Sequence, residues 1–175
     1  NNDMVGWIKI PDTPVDYPVV KYSDNEFYLH KNFNKEYQFS GIPFLDYQSN
    51  DESVNKIIYA HNMKNGTMFA SLADYEDKSF YDAHKNIMYD TLYDKGEYEI
   101  VYAFTTKVGA SNEFKYYNYA DIESEERFNE YVTQAKSRSF YDTGVNTVYG
   151  DSLITLSTCA YHTSNERFVV IARKK

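Results

Sequence analysis

Hydrophobic positions in this chain fall mostly into short β-prone runs. Residues 5–10 and 15–20 come first, bounded by Pro11, Pro14 and Pro18, as expected of edge or irregular strands where a missing N–H is tolerated. Residues 42–47 and 56–61 read as strands, the second a compact apolar run ending in His61-Asn62, and Asn65-Gly66 marks a turn. Residues 87–92 and 98–105 flank Asp94-Lys95-Gly96 as a hairpin, and residues 152–159 and 167–173 form another through a short connection at 160–166. Helical signals are fewer. Ser23 with Glu26 three residues on predicts a capping box opening a short helix to about residue 33, and 67–73 and 79–84 look like short helices. The clearest helix spans about 122–138: Phe128, Tyr131, Val132 and Ala135 recur at helical spacing, acidic residues lead and Lys136 and Arg138 close it.

Without a repeat or a Pro/Gly/Ser-rich linker, the 175 residues are expected to form a single domain, 1–175, large enough to bury roughly 70% of its unfolded surface. The 19 Tyr, 11 Phe and 1 Trp lean the fold toward β, because a ring packs on a pleated face while a phenol reaches water. A net charge of −8 with no basic stripe speaks against nucleic acid as a partner. No apolar run approaches the roughly 18 residues that cross a bilayer. The chain opens Asn1-Asn2-Asp3-Met4, as expected of a processed or excised piece. Neither a Gly-rich phosphate loop nor a pair of histidines at metal-binding helical spacing is present, so no cofactor and no metal are expected.

One cysteine, Cys159, excludes a disulfide framework and must be core filler or chemistry. If the last hairpin turns about Thr163, Cys159 faces Arg167 across it, and a guanidinium there favours the thiolate and can hold an oxyanion. A slip of one residue would carry Arg167 to the other face. A cysteine nucleophile needs a base. His30 and His84 sit among charged neighbours in short helices and read as surface residues; His162 and His61 both remain candidates on pattern alone.

Thr155-Leu156-Ser157-Thr158-Cys159 followed by Arg167-Phe168-Val169-Val170 resembles the cysteine strand and downstream arginine of sortases, the transpeptidases of Gram-positive cell surfaces. Ser157 at the middle position, Ala60-His61-Asn62-Met63, Asn25 with Leu29, and Gly41-Ile42-Pro43-Phe44-Leu45-Asp46-Tyr47 are similar to class B, and the likeness covers nearly the whole chain. Ala60 and Ala160 depart from the commoner Gly before the histidine and polar residue after the cysteine. The resemblance implies a mainly β fold: a closed barrel of about eight strands with peripheral helices, one of them long at about 122–138. It implies Cys159 as nucleophile, His61 as acid and base in preference to His162, and Arg167 as oxyanion or peptide anchor. It also sets Asn25, Leu29 and Ser157, and less directly Tyr117, near a peptide groove. The implied partners are the C-terminal sorting signal of a secreted protein and a peptidoglycan precursor amine. The enzyme would be a monomer at the extracellular face of the membrane, held there only through an N-terminal anchor absent from this chain. The rival readings are a cysteine peptidase or amidase that hydrolyses the same thioester, and a non-enzymatic β-rich surface-binding module with Cys159 inert.

Overall fold

The computed structural model describes residues 1–111, 113–159 and 165–175, with Cys159 described through its backbone. Eight strands close into a barrel: β1 (Met4–Lys9), β2 (Asp16–Lys21), β3 (Phe44–Leu45), β4 (Asn55–His61), β5 (Asn86–Thr91), β6 (Glu97–Lys107), β7 (Leu153–Cys159) and β8 (Glu166–Lys174). Around the wall they run β1-β2-β3-β4-β7-β8-β6-β5. Two neighbour pairs are parallel, β2 with β3 and β4 with β7; the others are antiparallel.

Alternation along the strands divides the core in two. Ile58 and Ala60 of β4, Ile154 and Leu156 of β7, and Val170 and Ala172 of β8 point into the barrel, where Phe69, Leu72 and Tyr75 also pack. Their neighbours Ile57, Leu153, Val169 and Ile171 point outward and are covered by Phe128, Tyr131 and Ala135 of helix α2 (Glu125–Lys136) and by the 3-10 turn Tyr116–Tyr119. A central stretch of wall buried on both faces explains why residues 56–61 read as continuously apolar rather than alternating. A shorter helix, α1 (Lys78–Ala83), is capped by Asp77, whose carboxylate accepts the Ser79 N–H.

The architecture matches the expected barrel, while several boundaries differ. The long helix starts at Glu125 and not near 122, because Ser124 has extended backbone and its hydroxyl accepts the Arg127 N–H as an N-cap. Ile122 is buried ahead of it. The expected Ser23/Glu26 box does not form: Asp24 Oδ1 accepts from the Glu26 and Phe27 N–H groups, and the chain then winds into the 3-10 turn Phe27–His30. The run at 42–47 pairs as a strand only over Phe44–Leu45, since the Tyr47 N–H is taken by Asn25 Oδ1. The short helix expected at 67–73 is a 3-10 segment at Ala70–Glu76. Among the described residues no helix is long and apolar enough to cross a membrane.

Candidate active site

Register is what assembles the site. β4 and β7 pair in parallel from Asn55↔Leu153 through Tyr59↔Ser157 to His61↔Cys159, so two residues almost a hundred positions apart end adjacent strands side by side. β7 and β8 pair antiparallel from Leu153↔Arg173 to Ser157↔Val169, and the Phe168 N–H donates to Thr158 Oγ1 at 3.0 Å. Over these residues the register is the one expected of a turn about Thr163; the expected pairing of Cys159 with Arg167 lies beyond its last described pair. Thr163 and His162 lie outside the described residues. His61 and Arg167 occupy odd positions of β4 and β8, the parity of Ile57 and Val169, and therefore share the outer face of the wall, while the backbone of Cys159 ends β7 beside His61. Arg167 is half-buried and its Nη1 donates to the Glu166 carbonyl at 3.4 Å.

The His61 imidazole is 5% exposed, and its Nε2 lies 2.7 Å from the Leu29 carbonyl oxygen. A carbonyl can only accept, so Nε2 carries the hydrogen and Nδ1 is the nitrogen that gains and loses a proton in the neutral-to-cationic cycle. A backbone oxygen here does the orienting that a carboxylate does in a Ser-His-Asp triad, without adding a formal negative charge. The oxygen is held in turn by close packing. Gly41, at φ +58°, lies so near the 3-10 turn that a Cβ there would stand 2.5 Å from the Tyr28 carbonyl oxygen and closer still to that of Leu29. Gly41→Ala is expected to push the Leu29 carbonyl off the His61 imidazole and to lower kcat/KM about tenfold or more. Steady-state kinetics beside a thermal melt would separate that loss from unfolding.

The remaining sequence candidates surround this line in different ways. Leu29 is half-buried and meets His61 through its carbonyl. Asn25 bridges: its Nδ2 donates to Asp46 Oδ2 at 2.9 Å and its Oδ1 accepts from Tyr47 N at 3.0 Å. Asp46, 3% exposed, also accepts from the Tyr59 hydroxyl at 2.9 Å. Ser157 is fully buried, 2.6 Å from the Tyr116 hydroxyl. Tyr117 donates to Glu113 at 2.8 Å; burial first, and then that carboxylate, pushes its phenol up to about 12, so it stays neutral at ordinary pH. Of the other histidines, His84 stacks on Phe80, while His30 stacks on His61 itself, contrary to its reading as a plain surface residue. Asp46, Tyr59, Tyr116 and Gly41 were not singled out for the site from sequence. For Gly41 and Asp46 the signal available was their place in the 41–47 segment that resembles class B; Tyr59 and Tyr116 carried none. Among the described residues no cluster of His, Cys, Asp and Glu could hold a metal ion.

The sortase domain family model matches residues 8–175. Sortase B of Listeria monocytogenes is 40% identical over 161 residues, which are 91% of this chain and 63% of that protein. Sortase B of Staphylococcus aureus is 33% identical over 177 residues, 99% of this chain and 70% of that protein. This chain thus spans about two thirds of the length of these relatives. Among solved structures, a Staphylococcus aureus sortase B–substrate complex superposes with a TM-score of 0.91 at 32% identity, covering 100% of this chain and 81% of that one. Clostridium perfringens sortase B gives 0.89 at 34% identity, covering 100% and 95%. By the family match, the identity of its class B relatives and the shared barrel, the chain belongs to the sortase family.

Proposed function

We propose that this domain cleaves the C-terminal sorting signal of secreted proteins through a thioester on Cys159 and passes the acyl group to a peptidoglycan precursor amine. The observation that carries the reading is the parallel His61↔Cys159 pairing at the C-terminal ends of β4 and β7. The Cys159 thiolate attacks the peptide carbonyl, and Arg167, the next strand over, stabilises the oxyanion or aligns the peptide. His61 as imidazolium protonates the departing amine as the C–N bond breaks. As neutral imidazole it then takes the proton of the incoming amine while the C–S bond breaks and the thiolate is restored. Asn25 and Leu29 border the acyl part of the peptide, Ser157 supports that floor from beneath through Tyr116, and Tyr117 stands at its edge. The reading draws support from relatives: sortase B of Staphylococcus aureus has been solved with a substrate, and a sortase B with triglycine. The domain acts as a monomer on the outer face of a Gram-positive cell membrane.

The test is a peptide library followed by mass spectrometry of the intact protein. A stable acyl adduct on Cys159 that triglycine converts to an amine-bearing product is the expected result. Products that never carry triglycine would make the domain a peptidase or amidase. A Cys159 that resists alkylation in the folded protein would leave only a binding module.

A further inference from the structure

Past His61 the outer face runs on into a row of rings. β3 is antiparallel to β4 with Phe44 opposite Tyr59, so the residues that precede Phe44 lie progressively beyond the His61 end of β4. They carry Phe39 and Tyr37. The His30 and His61 imidazoles stack with centroids 5.4 Å apart and planes 22° from parallel. Phe39 stacks with His30 at 6.0 Å and 29°, and Tyr37 lies 6.4 Å from His30 at 35°. His30 Nδ1 is 3.0 Å from the Phe39 carbonyl oxygen, and the Lys31↔Tyr37 bridge closes the loop that carries the two outer rings. Tyr37 is 76% and Phe39 49% exposed, so the row leads from a buried catalytic imidazole out to water.

The two sides of His61 differ in kind. Asn25, Asp46 and Tyr59 stand on the side toward the body of β4, where the Asp46 carboxylate accepts from both of the others. An acyl segment lying there leaves the ringed side for the amine, and the proton that the amine must surrender goes to the imidazole on which the row ends. Aromatic faces attract cations and make no demand on the direction of a hydrogen bond. We propose that Tyr37 and Phe39, joined to His61 through His30, form the subsite for the incoming amine, gathered as its ammonium. This inference rests on the catalytic reading above. The captured ammonium gives one proton to solvent. Its nitrogen then bonds to the thioester carbon, its second proton passes to neutral His61, and the C–S electron pair returns to Cys159 as thiolate.

The test uses the intact protein, a peptide donor chosen by its acyl-enzyme mass, and triglycine as amine. In Tyr37→Ala/Phe39→Ala the KM for triglycine is expected to rise about tenfold, the loss of two exposed cation–π contacts, and the triglycine product to fall relative to hydrolysis. The rate of acylation, read by quenched-flow mass spectrometry, should change less than twofold. Tyr37→Phe/Phe39→Tyr, which keeps both rings, should restore the KM. An unchanged KM in the double alanine variant overturns the subsite while leaving the transpeptidase reading intact. So does a slowed acylation, which would assign the rings to the departing segment. Failure of the unsubstituted protein to form any acyl adduct removes the catalytic reading and the subsite with it.

Discussion

Cys159→Ala is expected to abolish the acyl adduct and to reduce peptide cleavage by about 10⁴-fold or more, as removal of a covalent nucleophile does in enzymes whose groups act as a unit. His61→Gln should come close behind, at about 10²–10⁴-fold, the range for loss of a general acid and base. Glutamine is the informative replacement. Its amide can still donate to the Leu29 carbonyl, keeping the 2.7 Å bond that buries the imidazole edge, but it cannot exchange a proton. A loss in His61→Gln is therefore a loss of chemistry rather than of the turn at Phe27–His30. The double variant should be little worse than Cys159→Ala alone, because without the sulfur there is no thioester step for the imidazole to serve. Were His162 the proton carrier, His61→Gln would keep most of its activity and His162→Gln would lose it. Quenched peptide cleavage with circular dichroism on the same samples checks all these variants.

These residues were legible to different degrees, for physical reasons. Strands β7 and β8 announce themselves as β-branched runs, but their register could only be assumed from a turn about Thr163, because a slip of one residue fits the same connection; the described pairs from Leu153↔Arg173 to Ser157↔Val169 agree with that assumption. The parallel pairing of β4 with β7 left no such mark: the strands are far apart in sequence, and nothing in 56–61 says that residues 153–159 will lie beside it. Pattern alone therefore left His61 and His162 level, and only the resemblance chose between them. The partner of His61 was less legible still. It is a main-chain oxygen, which every residue has, and what brings it there is a 3-10 turn set by Asp24 and a glycine with positive φ. Asn25 and Ser157 were picked out by resemblance as groove residues, but the structure gives both an internal bond first, to Asp46 and Tyr116. Spacing cannot reveal that, since each bond joins segments separated by loops. The long helix was read from its buried stripe, and its start was missed because Ile122 is nearly as buried before the N-cap as Phe128 is after it.

Phe128→Ala should be among the most destabilising single changes in the domain. The ring is fully buried between α2 and the outer face of the wall, and it meets Tyr149 edge-on at 5.9 Å. Truncating a buried phenylalanine costs about 4 kcal/mol in lost transfer energy and residual cavity, which lowers Tm by about 10 °C for a chain of this length. The helix also carries Tyr131, whose hydroxyl lies 2.6 Å from Thr155 Oγ1 while Thr155 donates to Asn55 Oδ1 at 2.8 Å, so its seat is tied to β7 and β4 by buried polar bonds as well as by area. Calorimetry should register the drop. Activity well below the transition should fall by less than tenfold, because the pairing of His61 with Cys159 comes from the β4–β7 ladder and not from the helix outside it. A variant that melts early yet keeps nearly full turnover would assign stability to the helical cover and chemistry to the register of two strand ends. Loss of both together would mean that the helix holds the strand ends in place.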